Sequence, residues 1–149
     1  MKTKLILIIV SLITMPALFA GTAEQEKAFV DGYKAAFEAG DKAKLESYLY
    51  TEGANPMALE FYKMMQAESA GKKITKIELV DLSPEDVKRA SEMQPGPGGQ
   101  KMKLSLKPTK KLKITVETKD ENGSSSSSSE NFVAEKDGKY YIPVPANAK

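Results

Sequence analysis

The sequence predicts an α+β fold, with helices from the first half packed on one face of an antiparallel sheet built by the second half. Three observations carry this expectation. Residues 110–119 alternate strictly: Leu112, Ile114 and Val116 point one way, while Lys111, Lys113, Thr115 and Glu117 point the other. That is the period of a half-buried strand. Asp137-Gly138 divides residues 131–144 into a hairpin, because Asp-Gly supplies the positive backbone angles of a tight turn. In residues 22–39, Phe29, Val30, Tyr33, Ala36 and Phe37 form one apolar stripe at helical spacing.

The chain has 149 residues, enough for a single core. Lys2 and Lys4 precede an apolar run over residues 5–13, broken only by Ser11 and stopped by Pro16. This pattern is a secretory signal peptide, so the protein is expected to be secreted or periplasmic. Two cuts fit: after Ala20, leaving residues 1–20 as the leader, or after Ala23, with Gly21 three positions back. The run is shorter than the roughly 20 residues of a spanning helix, so no membrane span is expected. Loss of Lys2 and Lys4 takes the basic count from 22 to 20, against 20 acidic residues. A neutral chain predicts no nucleic-acid partner.

Cys and His are both absent. That excludes disulfides, thiolate nucleophiles, His-based zinc sites and Ser-His-Asp triads. The acids show no calcium-loop spacing and there is no phosphate-binding glycine motif. No metal and no cofactor are expected.

The elements follow in order. Glu24 and Glu26 suit the start of the first helix, Gly40 ends it, and Asp41 caps the next. Gly32, inside the first helix, costs about 1 kcal/mol against Ala and would allow close approach of another element. The second helix is expected over 42–50, with Leu45, Tyr48 and Leu49 inward. Asn55-Pro56 starts the third, whose buried face is Leu59, Tyr62 and Met65, widened by Phe61 and Met64; Gly71 stops it. Residues 74–82 read as a strand apolar on both sides, through either a central position or a bulge. Ser83-Pro84-Glu85-Asp86 is a capping-box start for a brief helix. Two Pro and three Gly make residues 95–99 a loop. Met102, Leu104 and Leu106 alternate with lysines and Ser105 in the next strand. The six serines within residues 120–130 read as a flexible Ser-rich hairpin loop. Residues 24–149 form one domain.

Residues 29–41, Phe-Val-Asp-Gly-Tyr-Lys-Ala-Ala-Phe-Glu-Ala-Gly-Asp, followed by Leu45 and Leu49, resemble the first two helices of the nuclear-transport-factor-two-like (SnoaL and ketosteroid-isomerase-like) superfamily. The closing stretch 135–142, Glu-Lys-Asp-Gly-Lys-Tyr-Tyr-Ile, is similar to that family's last hairpin. The middle of the chain does not carry the resemblance. It implies a curved, cone-shaped, cystatin-like sheet whose mouth holds a ligand. In ketosteroid-isomerase-like members a Tyr at the place of Tyr33 donates to a developing oxyanion beside catalytic carboxylates. Here Glu52 is the nearest candidate base and Asp81 the candidate inward acid, and neither reproduces the pattern.

The sequence therefore favours a non-catalytic binding or envelope-associated protein. Its apolar pocket would take a small apolar ligand between Phe29, Tyr33, Phe37 and Tyr62 on the helices and Leu112, Ile114 and Val116 on the sheet. One alternative is a lyase or isomerase using Tyr33 and a carboxylate. Another is a homodimeric interaction module built on the outer sheet face. Seven lysines against one acid in residues 101–119, with Lys101, Lys103, Lys111 and Lys113 on strand faces, offer a patch for an anionic surface. A solvated sheet face that resists aggregation is the favoured account of them.

Overall fold

The computed structural model describes residues 21–121 and 123–148. The signal-peptide expectation for residues 1–20 lies outside them. Helix α1 spans Ala23–Ala39. Thr22 caps it in a reciprocal box: Thr22 Oγ1 accepts from the Gln25 N–H at 3.2 Å, and Gln25 Oε1 accepts from the Thr22 N–H at 2.8 Å. Gly40, at φ 67°, closes it in the left-handed region. Asp41 then caps α2, Lys42–Glu46.

That helix is shorter than the sequence predicts. Leu49–Tyr50 is instead strand β1, because the Ile142 N–H donates to the Tyr48 carbonyl at 2.8 Å and draws the chain out of helical geometry. Helix α3, Pro56–Ser69, starts at Asn55, whose Oδ1 accepts from the N–H groups of Met57 and Ala58. Its inner side is Ala58, with Leu59 and Tyr62 half-buried. Phe61, Met64 and Met65, expected inward, are 53%, 51% and 45% exposed. The helix rests on the core along a narrow seam, with Gln66 reaching the Leu45 carbonyl, so the wide apolar face suggested by composition is only partly used.

Strand β2, Lys73–Asp81, lies at a sheet edge and bulges between Ile74 and Lys76. Helix α4, Pro84–Ser91, opens with the Ser83–Asp86 capping box. Then come β3 (Gln94–Pro95), a 3-10 turn (Pro97–Gly99), β4 (Lys101–Leu104), β5 (Lys110–Asp120), β6 (Gly123–Lys136), β7 (Lys139–Pro143) and β8 (Pro145–Asn147). The β6–β7 turn has Asp137 at φ 54° and Gly138 at φ 76°, the positive angles that Asp-Gly predicts.

Two features correct the expected architecture. The main sheet runs β1-β7-β6-β5-β2 and is open, while β4 pairs with β3 and β8 in a separate three-stranded sheet. Among the described residues no closed, curved, cone-shaped wall forms. Nor do the helices share one face. Leu112, Ile114 and Val116 are buried in one cluster with Phe29, Tyr33 and Phe37 of α1. Lys111, which alternates with them and so projects from the other face, is bonded to Asp86 of α4.

The serine run is strand, not loop. Ser124–Ser129 pair residue for residue with β5, from Lys119↔Ser124 to Ile114↔Ser129. Serine has little preference for strands, yet the Asp120↔Gly123 pairing and the strong alternation of β5 hold the partner in register. The backbone carries the pairing while the side chains stay exposed.

Candidate functional site

The aromatic side chains of α1 do not stop at the core. Phe29 packs edge-on against Tyr48, with ring centroids 5.5 Å apart and planes at 86°, and lies 5.7 Å from Tyr140. Tyr33 lies 5.4 Å from Tyr48 and 6.3 Å from Phe37. Such offset and tilted pairs are the geometries aromatic quadrupoles favour. A cleft of about 440 Å³ opens beside this cluster. Phe29 and Gln25 of α1, Lys44, Ser47 and Tyr48 from α2 and the residues after it, and Gly138, Lys139, Tyr140 and Tyr141 of the hairpin line it. Lys44 Nζ lies 5.6 Å from the Tyr48 ring centroid, within cation–π range. Both Lys44 and Lys139 are exposed. Burial pushes the Tyr48 phenol pKa up. Burial does the same to Tyr140, whose shift is reinforced by the Glu26 carboxylate. Both phenols therefore remain protonated donors at neutral pH.

The residues expected to line a pocket mostly fill the core instead. Tyr33, Phe37, Leu112, Ile114 and Val116 are all buried in the packed cluster. Phe29 alone of that set reaches the aromatic cleft, while Tyr62 lines a different one of about 230 Å³ with Arg89 and Phe132. The cleft residues Tyr48, Tyr140, Lys44 and Lys139 were missed as a set. Only the inward placement of Tyr48 was visible in the periodicity.

The carboxylates do not meet Tyr33. Burial raises the Tyr33 pKa, and the Gln66 amide beside it opposes that rise. Among the described residues no carboxylate hydrogen-bonds to the Tyr33 hydroxyl. Asp81, largely exposed, pairs with Lys110 at 2.8 Å. Glu52 accepts from the Tyr50 hydroxyl at 2.5 Å and lies 3.2 Å from Lys136 Nζ. Lys136 also donates to Tyr50 Oη at 2.5 Å. The Tyr50 hydrogen bond, then Lys136, hold the Glu52 carboxyl below its usual range. Tyr50 first and Glu52 second push Lys136 up to about 12. A Tyr–Glu pair therefore exists, on Tyr50 rather than on Tyr33.

Part of the lysine face is paired with carboxylates. Lys111 lies 3.0 Å and Lys113 3.3 Å from the Glu130 carboxylate. Lys101 and Lys103 sit in the separate β3-β4-β8 sheet, so the four lysines do not make one strand face. Among the described residues no cluster of three or more acids is placed to hold a metal. No helix there is long and apolar enough to cross a membrane.

Comparison with known proteins adds little. No family model matches the chain, and no curated protein matches it. Two solved structures are similar in outline. One is the helical cell shape determining protein Pgp2 from Campylobacter jejuni, 13% identical, with a TM-score of 0.43 over 79% of this chain. The chain spans only 38% of that protein. The other is a variant of Rv3472, a function-unknown protein from Mycobacterium tuberculosis, 12% identical, with a TM-score of 0.41 over 84% of this chain and 69% of that one. Likeness at this level carries no functional argument. The chain is a folded α+β domain with an aromatic cluster and a Tyr–Glu contact at its surface.

Proposed function

We propose that the protein is a binding module that takes a small, ring-bearing anion in the aromatic cleft. One observation carries this reading: Phe29, Tyr48 and Tyr140 converge on a cleft of about 440 Å³ that Lys44 and Lys139 also line. The volume falls in the range of ordinary ligand sites, which are mainly apolar with a few placed polar groups. Aromatic walls reward a flat ring, and exposed lysines reward an acidic substituent. The N-terminal segment adds an address to the same proposal: the ligand is met outside the cytoplasm.

The test is titration with 1-anilinonaphthalene-8-sulfonate, an anionic fused-ring probe, followed by its fluorescence. One probe should bind per chain. Tyr48→Ala should weaken binding about tenfold, and Lys44→Ala with Lys139→Ala by a similar factor. The uncharged N-phenylnaphthylamine should bind more weakly than the sulfonate. Equal binding of the two probes, indifferent to these substitutions, would sink the proposal.

A second reading has its own observation, the Tyr50–Glu52–Lys136 cluster. It moves the lyase or isomerase alternative from Tyr33 to the surface, with Glu52 as base and Tyr50 as proton donor. NMR-detected exchange of carbon-bound protons with deuterium oxide, run on a panel of β-dicarbonyl compounds, tests it. Exchange rates unchanged by Glu52→Gln would remove it.

A further inference from the structure

The residue pairs at the two ends of β6 decide where each of its backbone groups points. Asp120 pairs with Gly123 at one end, and Lys136 pairs with Lys139 at the other. Residues that close a two-residue hairpin bond each other through both main-chain groups. Gly123 therefore directs its N–H and C=O at β5, and Lys136 directs its own at β7. Alternation between these ends assigns odd-numbered residues to β5 and even-numbered ones to the opposite side. The Thr109 N–H donating to the Val133 carbonyl at 2.9 Å agrees.

On that opposite side β7 pairs only with Ala134, Glu135 and Lys136. The N–H and C=O groups of Ser124, Ser126, Ser128, Glu130 and Phe132 therefore point outward. Among the described residues no backbone hydrogen bond takes them up. Residues 123–130 are all exposed. Edge strands are normally blunted by Pro, Lys, a bulge or brevity. The edge strand β2 has Lys73, Lys76 and a bulge, and β1 is two residues long. The free stretch of β6 has none of these.

The geometry points to this edge as the site of strand addition by a second copy of the chain, paired antiparallel across a twofold axis through Ser128. It is independent of the aromatic cleft. Added peptides gain specificity from pockets for alternate side chains, and a serine run supplies none, which disfavours a foreign strand. Self-pairing needs none. The axis at Ser128 uses the whole stretch 124–132 before β7 begins. It sets Glu130 opposite the partner's Ser126 and Phe132 opposite the partner's Ser124, so no like charges meet. About ten main-chain hydrogen bonds would join the copies. The axis closes the assembly as a dimer, since β5 already covers the other side of each β6.

Sedimentation equilibrium from micromolar to millimolar protein tests this, with thermal melts as the control for folding. The parent chain should show a reversible monomer–dimer equilibrium. Ser128→Pro removes an N–H that bonds nothing within one chain. It should weaken the dimer about tenfold or more while the melt stays close to the parent's. Ser127→Pro removes an N–H bonded to β5 and should lower the melting temperature instead. Ser126→Lys, facing the partner's Glu130, should tighten the dimer about threefold, and Ser126→Glu should loosen it by a similar factor. A monomer throughout the range overturns the inference. So does a dimer indifferent to Ser128→Pro and to charge at residue 126, which would place the contact on the exposed Met57, Phe61 and Met64 of α3.

Discussion

Lys111 Nζ lies 2.9 Å from Asp86 Oδ2, with the two side chains only 10% and 8% exposed. This pair holds α4 against the sheet face opposite α1. Arg89, at 2.8 Å from Asp86 Oδ1, and Glu130, at 3.0 Å from Lys111, complete it, with Ser83 donating to Asp86. The Lys111 ammonium, and after it Ser83, hold the Asp86 carboxyl far below its ordinary range. Asp86, and then Glu130, raise Lys111.

The signs give two windows. A depressed carboxyl stabilises the fold above its unfolded pKa and loses that contribution as pH falls toward its folded value. A raised ammonium stabilises below its unfolded pKa and loses its contribution as pH rises through its folded value. Stability is therefore expected to hold on a plateau through neutral pH, to fall below about pH 5 and to fall again above about pH 10. Asp86→Asn should lower the melting temperature by about 5 °C at pH 7 and flatten the acid limb. Thermal melts followed by circular dichroism across pH check both. An acid limb as steep in Asp86→Asn as in the parent assigns acid sensitivity elsewhere.

Gly32 is where α1 meets Tyr48 of the cleft wall. A Cβ at this position would stand 2.5 Å from the Tyr48 hydroxyl oxygen. Ala favours the helix by about 1 kcal/mol over Gly, and the half-buried Tyr48 ring can swing outward. Gly32→Ala should therefore raise stability by about 0.5 kcal/mol while weakening probe binding about threefold. Chemical denaturation and the fluorescence titration separate the two effects. A variant that loses stability and keeps full affinity would show that the ring does not move.

Burial separates two apolar residues that the periodicity treats alike. Leu112 is completely buried, whereas Met64 is 51% exposed. Leu112→Ala should cost about 2–5 kcal/mol through lost transfer energy and the cavity left behind. Met64→Ala should change stability by less than about 0.5 kcal/mol. Urea denaturation measures both, and a large loss at Met64 would mean that α3 is packed more deeply than its exposure indicates.

Local rules with one physical cause were legible in the sequence. Gly40, Asp41, Asn55-Pro56, Ser83 with Asp86, and Asp137-Gly138 all act where capping and turn chemistry place them. The stripe Phe29, Tyr33 and Phe37 meets Leu112, Ile114 and Val116 in one cluster, as their periods imply. What pairing decides was not legible. Ser124–Ser129 becomes strand only because β5 supplies a register, and Leu49–Tyr50 leaves the helix only because β7 lies alongside. The cleft joins side chains from α1, the end of α2 and the last hairpin, a convergence that no single periodicity contains.

Thr22 bears on the two cuts that the sequence offers for the expected leader. Its side chain and that of Gln25 close the capping box of α1. A cut after Ala20 keeps the box, whereas a cut after Ala23 deletes Thr22 and starts the chain at Glu24. The second product would lose about 1 kcal/mol of capping. It would also put a free ammonium in the first helical turn, where the helix dipole is already positive. A chain beginning at Gly21 should therefore be the more stable of the two products. A mature chain beginning at Glu24 would be expected to melt lower than one beginning at Gly21 when both are made side by side. Equal melting temperatures would mean that the Thr22 cap contributes nothing measurable to α1.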